Sequence, residues 1–136
     1  AAADLFHVVD DPSGTPINKK ISAENVVNNI PSYIGLSQAS QAITADASSQ
    51  VADVTSAITE INATSATGAI SLADGTDGQV KTFINVSTSG TNNVVITPTN
   101  LRGGTTITLN AEGETVTCLF KNAKWNVIAG NGYVVA

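Results

Sequence analysis

From Ala69 to the C-terminus, apolar and polar residues alternate in short runs, and glycine-containing turns cut the runs at even intervals. A period of two places successive side chains on opposite faces of a strand. The pattern predicts strands at Ala69–Ala73, Gln79–Ser87, Val94–Thr97, Thr105–Asn110, Thr115–Lys121, Lys124–Ala129 and Tyr133–Val135. The turns between them hold Asp74-Gly75-Thr76-Asp77-Gly78, Gly90–Asn93, Gly103-Gly104, Glu112-Gly113, Asn122-Ala123 and Asn131-Gly132, and Pro98 ends the third run. Such a series predicts a mainly β fold: a small antiparallel β-sandwich, a jelly-roll-like module or a barrel-like one.

Several of these strands are apolar on both faces. Phe83 opposes Ile84, Leu119 opposes Phe120, and Ile128 opposes Val127. A sandwich with one face in water would carry polar residues on that face. The excess predicts a second buried surface between subunits, with Phe83, Leu119 and Ile128 as candidate interface residues. β-Bulges that re-aim single side chains are the alternative.

The chain divides near Leu36. Residues 1–36 predict a docking arm, and residues 37–136 the β-module. In the arm, Leu5–Val9 and Ile17–Ile21 read as strands joined by the turn Asp11-Pro12-Ser13-Gly14-Thr15-Pro16. Ser22 is a fair N-cap for a two-turn helix over Ala23–Ile30, with Glu24 in its first turn and Pro31 helping to stop it. A hairpin and short helix cannot bury their apolar residues alone. Leu5, Phe6, Val8, Ile17, Ile21, Val26, Val27 and Ile30 are therefore candidate docking residues. Between 37 and 66 two readings compete. Val51, Val54, Ile58 and Ile61 fit one helix stripe or a heptad seam. The abundance of Thr, Ser and Asn argues instead for strands at Gln41–Ala45 and Thr55–Asn62.

Composition narrows the partners. Charged residues are 12% of the 136 and the net charge is −5. Ser, Thr and Asn make up roughly 30%, above ordinary usage. A neutral, hydroxyl-rich surface suits a protein packed against its own copies or a large assembly. Arg102 is the only arginine and the five lysines are mostly scattered, whereas nucleic-acid binding needs a clustered basic face. No apolar run approaches the ~20 residues of a membrane span. No signal peptide is legible at the start, and Ala1 reads as the residue left when an initiator methionine is removed, the mark of a nearly complete product.

Candidate chemistry is sparse, and the reading is of a non-enzyme with no cofactor and no metal. Cys118 is alone and alternates with Val116 and Phe120, which makes it a core thiol. His7 lies near Asp10 and Asp11, short of the three or four converging ligands a metal site needs. Asp74–Gly78 looks like a calcium loop but lacks the closing Glu, and its Asp-Gly pairs are adequate as turn residues. Asn62-Ala63-Thr64 and Asn85-Val86-Ser87 match the glycosylation pattern, which is frequent by chance in such a chain. Trp125 reads as a core anchor before a sugar platform. Asp74, Asp77, Glu112 and Glu114 offer loop carboxylates for glycan hydrolysis, but nothing brings two of them together.

The segment DLFHVVDDPSGTPINKKISAENVV resembles a motif of phage tail-fibre and other virion proteins. The segments LADGTDGQVKTF, TPTNLRGGTTITL and VTCLFKNAKWNVIAGNG resemble a β-module of phage virion proteins. The resemblance covers about two thirds of the chain and has no catalytic residues to carry over. It implies a structural virion protein. The short length favours a homotrimeric capsid decoration (cement) protein on the capsid exterior, contacting the major capsid protein. The alternative is a tail-fibre or head-fibre component that binds host-surface glycans.

Overall fold

The computed structural model describes residues 5–10, 14, 17–22, 38–89 and 92–136. Two compact units divide the chain, 1–37 and 38–136. In the first, β1 (Leu5–Asp10) pairs antiparallel with β2 (Ile17–Ser22), Leu5 opposite Ser22 and Asp10 opposite Ile17. Leu5, Phe6, Val8, Ile17 and Ile21 lie on these strands. The expected helix over Ala23–Ile30, with Val26, Val27 and Ile30, lies outside the described residues.

The second unit holds two five-stranded sheets. Its strands are β3 (Ser40–Ala45), β4 (Gln50–Ala52), β5 (Ile58–Ala63), β6 (Thr67–Leu72), β7 (Val80–Asn85) and β8 (Asn93–Pro98), followed by β9 (Ile107–Leu109), β10 (Thr115–Lys121), β11 (Lys124–Asn131) and β12 (Val134–Val135). Sheet order is β11-β10-β7-β5-β3 in one and β12-β9-β8-β6-β4 in the other. Strands β3 to β8 alternate between the sheets, and within each sheet the three pair in parallel. This stretch is a flattened coil of three turns. Strands β9 to β12 then add to the two sheets antiparallel.

The expectation of antiparallel sheets therefore needs correcting: both are mixed, and neither closes into a barrel. A sandwich-like mainly β fold does hold. Strands, not a helix, occupy 40–45 and 58–63, because β-branched residues pack well on a pleated surface while Ser, Thr and Asn weaken a helix.

Parallel stacking puts like positions one above another inside the coil. Ile43 pairs with Ile61 and Ile61 with Asn85; Ala52 pairs with Leu72 and Leu72 with Pro98. Small residues line one side, where a Cβ on Gly68 would sit 2.8 Å from the Ala63 Cβ and 2.9 Å from that of Ala45. Phe83, Val94, Ile96, Ile107, Leu109, Val116 and Trp125 complete a single core. At the outermost turn, the Gln41 side chain donates from Nε2 to the Val51 carbonyl (3.2 Å) and accepts at Oε1 from the Asp53 N–H (3.0 Å).

The hairpin β10–β11 turns through Asn122 and Ala123, both at positive φ (54° and 56°). Two consecutive left-handed residues define the type I′ turn, for which Asn-Gly is the favoured pair. Ala123 pays a Cβ penalty there that glycine lacks. Ala123→Gly is expected to raise stability by about 0.5–1 kcal/mol, read as a higher midpoint in urea.

Candidate functional site: the outward face of the β7 sheet

Strand β7 and the residues after it read Val80-Lys81-Thr82-Phe83-Ile84-Asn85-Val86-Ser87. A strand can put either alternate set inside, and a one-residue shift exchanges them. Val80, Thr82, Ile84 and Val86 are the more apolar set, yet they face outward. Lys81, Phe83, Asn85 and Ser87 are fully buried.

The buried polar groups are paired. Lys81 Nζ donates to the Ser56 carbonyl (2.8 Å) and sits 5.3 Å from the centre of the Phe83 ring. Asn85 donates to the Leu109 carbonyl (3.3 Å) and accepts from the Ser87 N–H (3.0 Å), and the Ser87 hydroxyl accepts from the Ala63 N–H (2.7 Å). Among the described residues, no buried side-chain nitrogen or oxygen lacks a partner. Burial holds the Lys81 amine below the usual lysine range, partly offset by the Asp53 carboxylate nearby. Asp53 is held below its ordinary value chiefly by the Ser56 N–H, against a smaller opposing effect of burial. Its carboxylate also accepts from Thr55 and from the Ser56 hydroxyl.

Around β7, register assembles the outward face. Val80 lies beside Leu119, Thr82 between Ile58 and Thr117, and Ile84 between Glu60 and Thr115. The hydroxyls of Thr82 and Thr117 bond each other at 3.0 Å. Val80 is 46% exposed and Ile128 is 55% exposed. Ile128 sits at a bulge: Cys118 pairs with Val127 and Thr117 with Ala129, which leaves Ile128 as the extra residue. Its apolar neighbour Val127 packs on the core.

The three residues singled out for a subunit interface thus fall in different places. Leu119 and Ile128 share the outward side of the sheet. Phe83 is fully buried in the chain's own core and presents nothing to a partner. Alternation correctly separated Phe83 from Ile84 but could not say which was inside. A strand carrying Lys81, Asn85 and Ser87 on the Phe83 side points the other way by hydropathy.

Most of the remaining candidates have structural employment, and Glu112 stands exposed in the turn before β10. Asp74 accepts from Asn100 Nδ2 (2.7 Å). Asp77 accepts from Lys121 Nζ (2.7 Å) and from the Asn122 N–H (3.0 Å), and the Lys121 bond is the main reason its carboxyl lies below its ordinary value. Glu114 accepts from the Asn110 N–H. Among the described residues, no three His, Cys, Asp or Glu side chains converge, and no concave pocket is formed. Trp125 is fully buried, so it offers no stacking surface. Burial pushes the Cys118 thiol up to about 12, which keeps it a thiol at neutral pH. Asn85, the acceptor of one glycosylation match, is also fully buried. His7 lies on β1 opposite Lys20.

A scan against protein-family models gives no match to this chain, and a search of curated proteins likewise gives none.

Proposed function

We propose that the chain is a structural protein of a bacteriophage particle: a trimeric decoration protein that braces the capsid exterior by binding the major capsid protein. The single observation that carries this reading is the outward face of the β7 sheet. It is broad, nearly uncharged and built of Val, Ile, Leu and Thr, which suits wide surface contact. The virion assignment rests on the resemblance of the N-terminal segment and of the β-module segments. In this reading residues 1–36 form the arm that reaches the capsid protein. The β-module holds three copies together, so that weak contacts per chain become strong per trimer.

The test is copy number in purified particles, by quantitative mass spectrometry against the major capsid protein. The expected result is hundreds of copies in simple proportion to that protein. A few copies per particle would replace decoration with a fibre role and turn attention to host glycans. None would remove the virion reading altogether.

A further inference from the structure

We infer that the outward face of the β7 sheet, centred on Val80, Ile84, Leu119 and Ile128, is the surface on which a second copy of this chain packs. The inference rests on the proposed trimer and gives it a contact surface.

The argument starts from the orientation of β7. By hydropathy Val80, Ile84 and Val86 belong inside and Lys81, Asn85 and Ser87 in water, Phe83 being the one apolar residue on the polar side. This chain does the reverse. It holds an amine and an amide inside, each with a defined partner, and keeps the apolar set outside. That choice of register leaves Val80 46% exposed and Ile84 and Val86 half-buried, an apolar strip that a partner on this face would bury.

On the opposite sheet the exposed large apolar residues, Val51 (67%) and Val134 (52%), stand on the edge strands β4 and β12, and the inner strands differ from β7. On β6 and β8 the large residues Ile70, Leu72, Val94 and Ile96 are inside, and Ala69, Ser71, Val95 and Thr97 are outside.

The β7 face also suits docking in its polar groups. Thr82 and Thr117, near its middle, already bond each other, so their hydroxyls are not stranded when water leaves.

Charge argues for a second copy as the occupant. The face is bordered by exposed Glu60, beside Ile84, and by exposed Lys124, at the far end of β10 and β11. Opposite signs at opposite corners let two copies meet with unlike charges facing. A polyanion would find only Lys124 and its cross-strand neighbour Lys121, which is already bonded to Asp77.

The experiment is native mass spectrometry with sedimentation equilibrium on the full chain and on three variants. Val80→Asp combined with Ile84→Asp charges the centre of the face. Ile128→Asp charges it at the bulge, where the monomer tolerates a polar group. Val134→Asp, on the outer face of the other sheet and 52% exposed, is the control. Circular dichroism verifies folding of each. The expected result is three chain masses for the wild type and the control, falling to the single-chain 13.8 kDa for both face variants. Face variants that fold and remain trimeric would overturn the inference while leaving the trimer standing. Dissociation caused by Val134→Asp and not by the face variants would move the contact to the other sheet. A monomeric wild type would remove both the trimer and this contact. Particle copy number is measured separately, so the virion reading stands or falls on its own result.

Discussion

Trp125→Ala is expected to cost about 4 kcal/mol, the range for truncating a large buried aromatic residue. A domain of this size has about 5–15 kcal/mol in all, so the variant stands near the edge of folding. The indole is fully buried and meets Phe120 edge-to-face, with ring centres 5.1 Å apart. Its Nε1 donates to the Ala73 carbonyl at 2.9 Å, which ties β11 to the end of β6. The residue's own backbone N–H and carbonyl bond Asn100 and Arg102, holding the loop after β8 as well. A Cβ on Gly75 would lie 3.0 Å from the ring, so the β6–β7 loop also rests on it. Truncation opens a cavity bordered by three chain segments. Trp125→Phe keeps most of the packing and loses the Nε1 bond to the Ala73 carbonyl, at a cost of about 0.5–1.5 kcal/mol. Urea denaturation followed by circular dichroism gives both values. A loss below ~1 kcal/mol for Trp125→Ala would contradict the placement of the indole at the junction.

Lys81 carries the second large effect, and its sign depends on the replacement. Lys81→Ala leaves a cavity beside Phe83 and an unpaired Ser56 carbonyl, and is expected to cost about 2–4 kcal/mol. Lys81→Met fills nearly the same volume without a buried charge. Its stability is expected to lie within about 1.5 kcal/mol of the wild type, on either side. The two also differ in pH dependence. Below the depressed pKa of Lys81, both folded and unfolded chains hold the proton, and the full cost of burying the charge is present. As pH rises through that value toward the ordinary 10.5, the folded chain releases the proton first. The unfolded chain then binds more protons, so the Lys81 contribution to stability rises with pH. Cys118 acts in the opposite sense. Its folded value of about 12 lies above the ordinary 9.0, so its contribution is present below 9.0 and is lost as pH rises through about 12. Both variants retain Cys118, so subtracting the Lys81→Met profile from that of the wild type isolates the lysine. A difference profile that is flat up to pH 10.5 would contradict the burial of the amine.

Much of the fold was legible in alternation. β10 was read with its observed ends, and β6 to β8, β11 and β12 to within a few residues. The pairing was not legible. A period of two shows that a residue sits in a strand and is silent on whether its neighbour runs parallel. The coil hid for a second reason. Ser40 pairs with Ile58 and Ile58 with Thr82, so the shift of 18 residues between the first turns becomes 24 between the next. The Asp74–Gly78 loop lengthens that second interval, and no fixed repeat survives in the sequence. β4 was missed because Gln50–Ala52 is too short to show a period. At the candidate face, Leu119 was found by its opposition to Phe120, which the structure buries. Val80 and Ile84 are not among the candidates because the sequence reading puts Phe83, on the opposite side of the strand, at the interface. The paired amine, amide and hydroxyl that reverse this become visible only once Ser56, Leu109 and Ala63 are seen around them.

Gln41 bears on how such a coil ends. A stack of parallel turns has no intrinsic last member, because each turn offers the next the same row of backbone donors and acceptors. An exposed row of that kind recruits further strands, whether from the same chain or from a neighbour. Here the outermost turn spends a primary amide on its own backbone, bonding Val51 and Asp53 in the manner of a peptide group from an additional turn. The side chain takes the place that a further strand would fill. Growth is thereby discouraged along the axis of the stack.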